Sequence, residues 1–269
     1  MRDIAVAVVC YNNEAEVVEF TKNLSKQSII DNIQLLVTCN AVGDFEKFQK
    51  EIENVMPSAL VYNPGKNLGY LPGCLYGVEQ SGRMYSWVMV SNTDIEIIQS
   101  NFFDAAFKEV GDDIWCIGPD IKLASIGVHQ NPFLKKRPTK SKVTIWRIAY
   151  SCFPLFWLYF KLYDLKPQKN KKEKLQIKSV YAVHGSCFLL KRECVDRILE
   201  EKPNVFMYGE ELIIAEIIKS NGKTCFFDSD LKILHNENQV TGKIESKRKQ
   251  RWFKESMNFY IHLFKRNDI

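Results

Sequence analysis

The eight cysteines (10, 39, 74, 116, 152, 187, 194 and 225) include no C-x-x-C and no closely spaced pair. That absence argues against a zinc site and against a disulfide framework. Several thiols sit inside apolar runs such as AVAVVC and GSCFLL, the pattern of buried free cysteine in a reducing compartment. No uninterrupted apolar run reaches 18 residues, so no standard spanning helix is expected. The N-terminal MRDIAVAVVCYNNE holds an apolar run too short for a signal peptide, and a cytoplasmic protein is expected. No G-K-[ST] and no G-x-G-x-x-G accompany the glycine-rich stretch, which removes the P-loop and the dinucleotide fingerprint. Internal repeats are absent too. The net charge of +5 is too small to imply a nucleic-acid partner, and none is expected. What remains is ordinary for a soluble globular protein: 269 residues, 46% hydrophobic and 26% charged, enough for one large domain or two small ones.

What is present alternates. IAVAVVCY (4–11) is β-rich and apolar on both faces, as a central parallel strand requires. Residues 12–28 read as a helix, capped by Asn12 or Asn13, with Val17, Phe20 and Leu24 on one face. Strands over 33–40, 59–64 and 84–92 follow, with helices over 44–55 and, in part, 71–82 between them. This alternation predicts βαβ units, a mostly parallel sheet, and a ligand beyond the carboxyl ends of the strands. Asn12-Asn13, Cys39-Asn40, Asn63-Pro64 and Asn92-Thr93-Asp94 all fall at those ends. The second half is less regular. It predicts a strand and turn over 113–123, a basic loop over 128–142, and a strand over 177–193 broken at Gly185. A helix over 206–223, one or two strands over 223–238 and a basic amphipathic helix over 245–267 complete it.

Four features could carry chemistry. Asn92, Asp94 and Glu96 alternate at a strand end, so they share one side of an extended backbone. Carboxylates so placed suit Mg²⁺ or Mn²⁺, which take oxygen ligands from one or two protein groups plus substrate phosphates; solvated strand-end caps are the alternative. Glu210 and Glu211 open a helix among apolar neighbours. They either favour the helix dipole or provide a general base with a raised pKa. His235 closes an apolar strand, where it is a satisfied histidine or a metal ligand completing a site with Asp94. NPGKNLGYLPG (63–73) is a turn whose glycines allow close backbone approach to a ligand.

The order of these segments carries more than any one of them. VVCYNNE, KNLGYLPGCLYGVE, VSNTDIEI, VHGSCFLLKRE, FMYGEELII and ILHN, over about residues 4–240, resemble the family 2 glycosyltransferases of the GT-A fold, particularly the bacterial rhamnosyltransferase-like branch. Asn67, Gly69, Tyr70, Gly73 and Gly77 match that branch's glycine-rich turn. Asn92-Thr93-Asp94 matches its metal-diphosphate motif, and Gly185-Ser186 its acceptor segment. Glu211 falls on the catalytic base position, beside Glu210. The resemblance implies a Rossmann-like GT-A sheet flanked by helices, with a smaller acceptor-side region. It also implies inverting transfer from a dTDP- or UDP-linked sugar to a hydroxyl of a glycan or lipid-linked acceptor in surface polysaccharide synthesis. The implied donor site is Tyr11, Asn13, Cys39, Asn40, Asn67, Gly69, Tyr70, Gly73, Asn92 and Thr93. The implied ion, Mg²⁺ or Mn²⁺, sits at Asp94 with His235, Glu96 being secondary, and the acceptor meets His184, Gly185 and Ser186. Cys39 stands where the family usually has Asp, Cys74 and Leu75 replace paired asparagines, and Ile213 replaces a second acid. A non-catalytic GT-A module binding a sugar nucleotide or glycan is the alternative. A nucleotidyltransferase would need a basic glycine-rich loop after the first strand, which CYNNEAE lacks.

The implied organisation is a nucleotide-sugar half (1–125), an acceptor and catalytic half (126–240) and a basic C-terminal helix (241–269). The aromatic and basic insertion 143–174 reads either as a core helix pair or as an interfacial element touching anionic membrane, with the C-terminal helix adding to that contact. Such contact would place the protein at the inner face of the plasma membrane.

Overall fold

The computed structural model describes residues 3–108, 110–164, 178–203, 205–236 and 246–268. The lysine run of 166–174 lies outside them. Strands β1 (Ile4–Tyr11), β2 (Ile33–Ala41), β3 (Leu60–Tyr62) and β4 (Trp87–Ser91) alternate with helices α1 (Glu14–Leu24), α2 (Phe45–Val55) and α3 (Leu71–Gln80). Then come β5 (Ile95–Ile97), α4 (Phe102–Phe107), β6 (Ile114–Leu123), α5 (Lys140–Ala149) and α6 (Phe153–Asp164). The chain finishes with β7 (Lys178–Val180), β8 (Cys187–Lys191), α7 (Arg192–Glu201), α8 (Glu210–Ser220), β9 (Thr224–His235) and α9 (Ser246–Arg266).

One sheet runs through both halves in the order β3-β2-β1-β4-β8-β6-β9-β5, with β7 also on β9. Pairing directions set β1, β2, β3, β4, β6 and β9 parallel, while β8, β5 and β7 run against them. The expected α/β sheet, mostly parallel and flanked by helices, is therefore what forms. Its physical basis is the period-2 alternation of the apolar strands. Ala5, Ala7, Leu36, Val88 and Val90 enter the core under α3, α7, α8 and α9. Val6, Val8, Leu35, Val37 and Met89 enter the opposite core, with Phe20, Phe48 and Phe102 from α1, α2 and α4.

Three local expectations change. Residues 114–123 are one ten-residue strand, not a strand and turn. Asn13 occupies the N-cap of α1 but makes no capping bond; its amide serves the site below. The apolar face of α9 is not a lipid-facing surface, because Trp252, Met257, Tyr260, Leu263 and Phe264 are buried by the domain.

The α8–α9 contact is fixed by a buried ion pair. Glu216 of α8 is fully buried; its carboxylate accepts from Arg137 Nε at 2.7 Å and from Arg137 Nη2 at 3.0 Å. The Tyr181 hydroxyl donates to it at 2.5 Å and the Asn267 amide at 2.8 Å. Arg137 also donates to the Phe264 carbonyl at 2.9 Å and lies 3.8 Å over that ring. Helix α8, which begins with Glu210 and Glu211, is thereby held against α9.

Candidate active site

Strand register brings the site together. Ser91, the last residue of β4, pairs with Cys187 at the start of antiparallel β8, so the segments beyond both strands meet. Asn92 N–H donates to the Ser186 carbonyl at 2.8 Å. Two residues on, β5 pairs with β9 so that Ile95 faces His235. Asp94 then places Oδ1 3.1 Å from His235 Nε2. The other ring nitrogen of His235 meets Gln130 Oε1 at 2.7 Å, so it must carry a hydrogen. Nε2 thus faces the Asp94 carboxylate at a distance that either a hydrogen on Nε2 or a shared cation would fit.

Gly185 is the second focus. A Cβ there would sit 2.7 Å from Glu210 Oε1 and 2.8 Å from Glu211 Oε1, so any side chain at this position would push one or both carboxylates aside. Gly185 N–H donates to Glu211 Oε1 at 3.2 Å, and the Tyr70 hydroxyl donates to the Gly185 carbonyl at 2.8 Å. Burial is the main force on both acids. It pushes Glu210 well above the ordinary carboxylate range, and the neighbouring Glu211 charge adds to the push. Glu211 is also raised by burial, but backbone N–H groups, Gly185's included, favour its ionised form. The environments separate the two roles: Glu210 holds its proton and Glu211 is the one able to ionise. His184 is driven down to about 4 by burial and by nearby His235. Its Nδ1 accepts from Ser186 N–H at 3.2 Å, so the neutral ring keeps its hydrogen on Nε2.

The Glu210 assignment has a stability consequence. A carboxyl whose folded pKa lies above its unfolded one stabilises the fold fully at low pH, and loses that contribution as pH rises toward the folded value. Melting temperature should therefore fall as pH rises above the ordinary glutamate range, and Glu210→Gln should flatten that slope. An identical slope in the variant would show that Glu210 is charged in the fold.

The glycine-rich turn closes another wall. Asn40 donates to the Gly69 carbonyl at 2.7 Å and accepts from Leu68 N–H at 3.0 Å, while Asn67 accepts from Gly69 N–H at 2.9 Å. Gly69 has φ +87°, and a Cβ there would lie 2.0 Å from the Phe206 carbonyl oxygen. Only glycine lets this turn pack against the segment preceding Glu210. Asn13 accepts from Tyr11 N–H at 2.7 Å and donates to Glu16 at 2.7 Å and Thr93 at 2.9 Å, tying the ends of β1 and β4. The Thr93 hydroxyl donates to Glu16 as well.

These walls enclose a cleft of about 660 Å³. Tyr11, Asn13, Asn40, Asn67, Gly69, Tyr70, Asn92, Thr93, Asp94, His184, Gly185, Ser186, Glu210, Glu211 and His235 all line it. Cys39 does not. It is buried in the core beside Cys10, its parallel-register partner, because alternation turns it away from the cleft that Asn40 enters. Gly73 is not on the wall either; it packs under it, where a Cβ would be 2.8 Å from Val9 and 3.3 Å from the Asn40 amide. Glu96 is exposed and lies outside the lining, on the other side of β5 from the two buried isoleucines.

Sequence reasoning missed Glu16, Gln130, Phe206, Tyr208, Arg248 and Trp252, which also line the cleft. Glu16 is one of two acids in the first turn of α1, where the helix dipole alone would favour them, and Gln130 lies in the basic loop. Arg248 and Trp252 arrive from α9, more than 35 residues after Glu211. No local signal marks any of them.

A divalent ion fits these residues. Among the described residues the acids on the cleft wall are Glu16, Asp94, Glu210 and Glu211, against one arginine, Arg248, so an anionic ligand is better held with added positive charge. Asp94 and His235 already converge within 3.1 Å. Among the described residues no group of three His, Cys, Asp or Glu could hold a metal. Two protein donors with the rest from phosphate and water is the usual arrangement for such an ion.

No protein-family model matches the sequence, and no curated protein matches it. Solved structures do share its fold. A mannosyltransferase of Pyrobaculum calidifontis in complex with GDP-Man and Mn²⁺ aligns with a TM-score of 0.55 at 12% identity, over 97% of this chain and 70% of that one. GalNAc-T7 with UDP, GalNAc and Mn²⁺ aligns at 0.63 and 14% identity, over 97% of this chain and 48% of that one. Residues 1–349 of S. aureus TarS in complex with UDP-GlcNAc align at 0.57 and 15% identity, over 90% and 61%. This chain thus spans less than two thirds of the last two. At such identities the likeness is one of fold, and the fold is that of GT-A glycosyltransferases.

Proposed function

We propose that the protein is an inverting, metal-dependent glycosyltransferase of the family 2 kind. It would move a sugar from a nucleotide-diphosphate donor to a hydroxyl of a glycan or lipid-linked acceptor in surface polysaccharide synthesis. The observation that carries this reading is one cleft in a GT-A fold holding both the Asp94–His235 pair and two buried carboxylates of different proton affinity. Residues 1–125 supply most of the donor wall and residues 126–240 the acceptor and base.

Tyr11, 43% exposed at the end of β1, offers a face on which a nucleobase can stack. The base is then read by groups other than Cys39, whose position in the core keeps it from the donor. Asp94 and His235 would hold Mg²⁺ or Mn²⁺, which offsets charge on the departing diphosphate when bound. Ionised Glu211 accepts the proton of the acceptor hydroxyl as its oxygen attacks the anomeric carbon. Gly185 N–H, by hydrogen bonding to Glu211, fixes the carboxylate's orientation and keeps it ionisable despite burial. Neutral His184, hydrogen on Nε2, offers a donor to an acceptor or sugar hydroxyl without adding charge.

The test is thermal shift with UDP, dTDP and GDP, each with and without Mn²⁺. A ligand at a hundred times its Kd adds about 2.7 kcal/mol, which for a chain of this size raises Tm by roughly 5–10 °C. At least one nucleotide should do so only with Mn²⁺, and Asp94→Ala should abolish the shift. No stabilisation, or an identical shift in Asp94→Ala, would sink the metal-diphosphate reading.

A further inference from the structure

Of the eleven exposed large hydrophobic residues among those described, six lie in α5 and α6: Ile145, Ile148, Leu155, Trp157, Leu158 and Leu162. Each is between 38% and 57% exposed. They are not residues that missed the core, because the opposite faces of both helices already supply it. Trp146, Tyr150 and Phe156 are buried there, and Phe253 of α9 meets Tyr150 at 5.3 Å and Phe156 at 5.5 Å between ring centroids. The two helices thus have an inner aromatic face and an outer apolar one. An exposed apolar concentration of this kind marks a contact surface.

Charge selects the partner. From Lys140 to Asp164, the span of α5 and α6, the sequence carries four basic residues, Lys140, Lys142, Arg147 and Lys161, against one acidic residue, Asp164 at its end. All four are exposed, and Lys140 is also paired with Asp268 at 3.2 Å, so Lys142, Arg147 and Lys161 carry most of the surface's positive charge. A second copy docked on this face about a two-fold axis would oppose like charges across the contact. A bilayer containing anionic lipid matches both the apolar and the basic character. Lys161 Nζ lies 4.6 Å from the Trp157 ring centroid, a pairing of ammonium and indole suited to headgroup depth. Length decides between lying on the membrane and crossing it. The 12 residues of α6 span about 18 Å, against a hydrocarbon core of about 30 Å. Among the described residues no helix is long and apolar enough to cross.

The inner face of these helices is tied to the cleft. Phe253, whose ring meets the inner face of α5 and α6, also stacks on Tyr208 at 4.6 Å and 9°. Tyr208 lines the cleft two residues before Glu210. We infer that the outer face of α5 and α6 docks the protein on anionic membrane, in the headgroup layer, and sets the cleft beside acceptors carried by lipid. The acceptor clause rests on the transferase reading; the docking clause does not.

Flotation with vesicles tests the docking with no donor or acceptor present. Protein should float with phosphatidylcholine–phosphatidylglycerol vesicles at low salt, less at high salt, and little with phosphatidylcholine alone. Removing two charges with Lys142→Gln/Arg147→Gln should weaken binding on the order of 30-fold. Trp157→Ser/Leu158→Ser should also release it, while Tm and nucleotide-induced stabilisation stay as in the parent protein. No flotation, equal flotation on both vesicle types, or unchanged binding by both variant pairs overturns the docking. So does a monomer–dimer equilibrium abolished by the Trp157/Leu158 pair, which would make the face a self-contact. Vesicle binding with no transfer to any acceptor would leave the docking standing and count against the transferase.

Discussion

Glu211→Gln should lower the transfer rate by about 10²–10⁴-fold, the usual contribution of a positioned general base. Glutamine keeps the volume and an oxygen that can accept from Gly185 N–H, so the wall between α8 and Gly185 should survive. Donor binding should survive too, since Asp94 and His235 are untouched, and nucleotide-induced stabilisation with Mn²⁺ is the measurement that checks it. The pH profile separates a base from a structural acid. Transfer needs ionised Glu211, so kcat/KM should rise with pH through a pKa above the ordinary 4.5 of a glutamate, because burial raises it. The variant should lose that limb. If Glu210→Gln removes the limb and Glu211→Gln does not, the base is Glu210, and the separation of roles argued from their environments is wrong.

The largest stability effect should come from outside the cleft. Arg137→Met strands Glu216, fully buried in α8, with the Tyr181 and Asn267 hydrogen bonds but no positive charge. Breaking a buried pair from one side costs about 3–5 kcal/mol, or roughly 10 °C in Tm for a chain of this length. Removing the charge from both sides, as Arg137→Met/Glu216→Gln, should recover part of the loss, because the cost is that of an uncompensated charge. A double variant no better than the single one would mean the loss comes instead from the other Arg137 contacts, with Phe264 and Asp268. Activity should fall with stability, since the same helix that carries Glu216 begins at Glu210.

The strand–helix alternation of the first half could be read directly from period: apolar on both faces for β1 and β2, Val17, Phe20 and Leu24 on one face of α1. Asp94, Glu210, Glu211 and His235 were visible because polar residues at the ends of apolar strands and helices stand out locally. Their partners were not. Nothing about Gln130 or Glu16 distinguishes them from other loop and helix-end residues; register across β5–β9 and the tie between β1 and β4 make them neighbours of the site. Cys39 shows the converse. It occupied the right position in the chain order, and alternation along β2 turned it into the core while Asn40 took the cleft.

The amino-acid order by itself determined an α/β fold with polar strand ends on one edge, because burial and period 2 act over a few residues at a time. It also placed a carboxylate pair at the start of a helix. Only the tertiary structure decided that Asp94 meets His235, that Gly185 lies between two acids of unequal proton affinity, and that α9 walls the cleft instead of standing free. It also decided that α5 and α6 turn a second apolar face outward. Each of these depends on which distant segments share a strand register or a helix contact, and such pairings have no local signature.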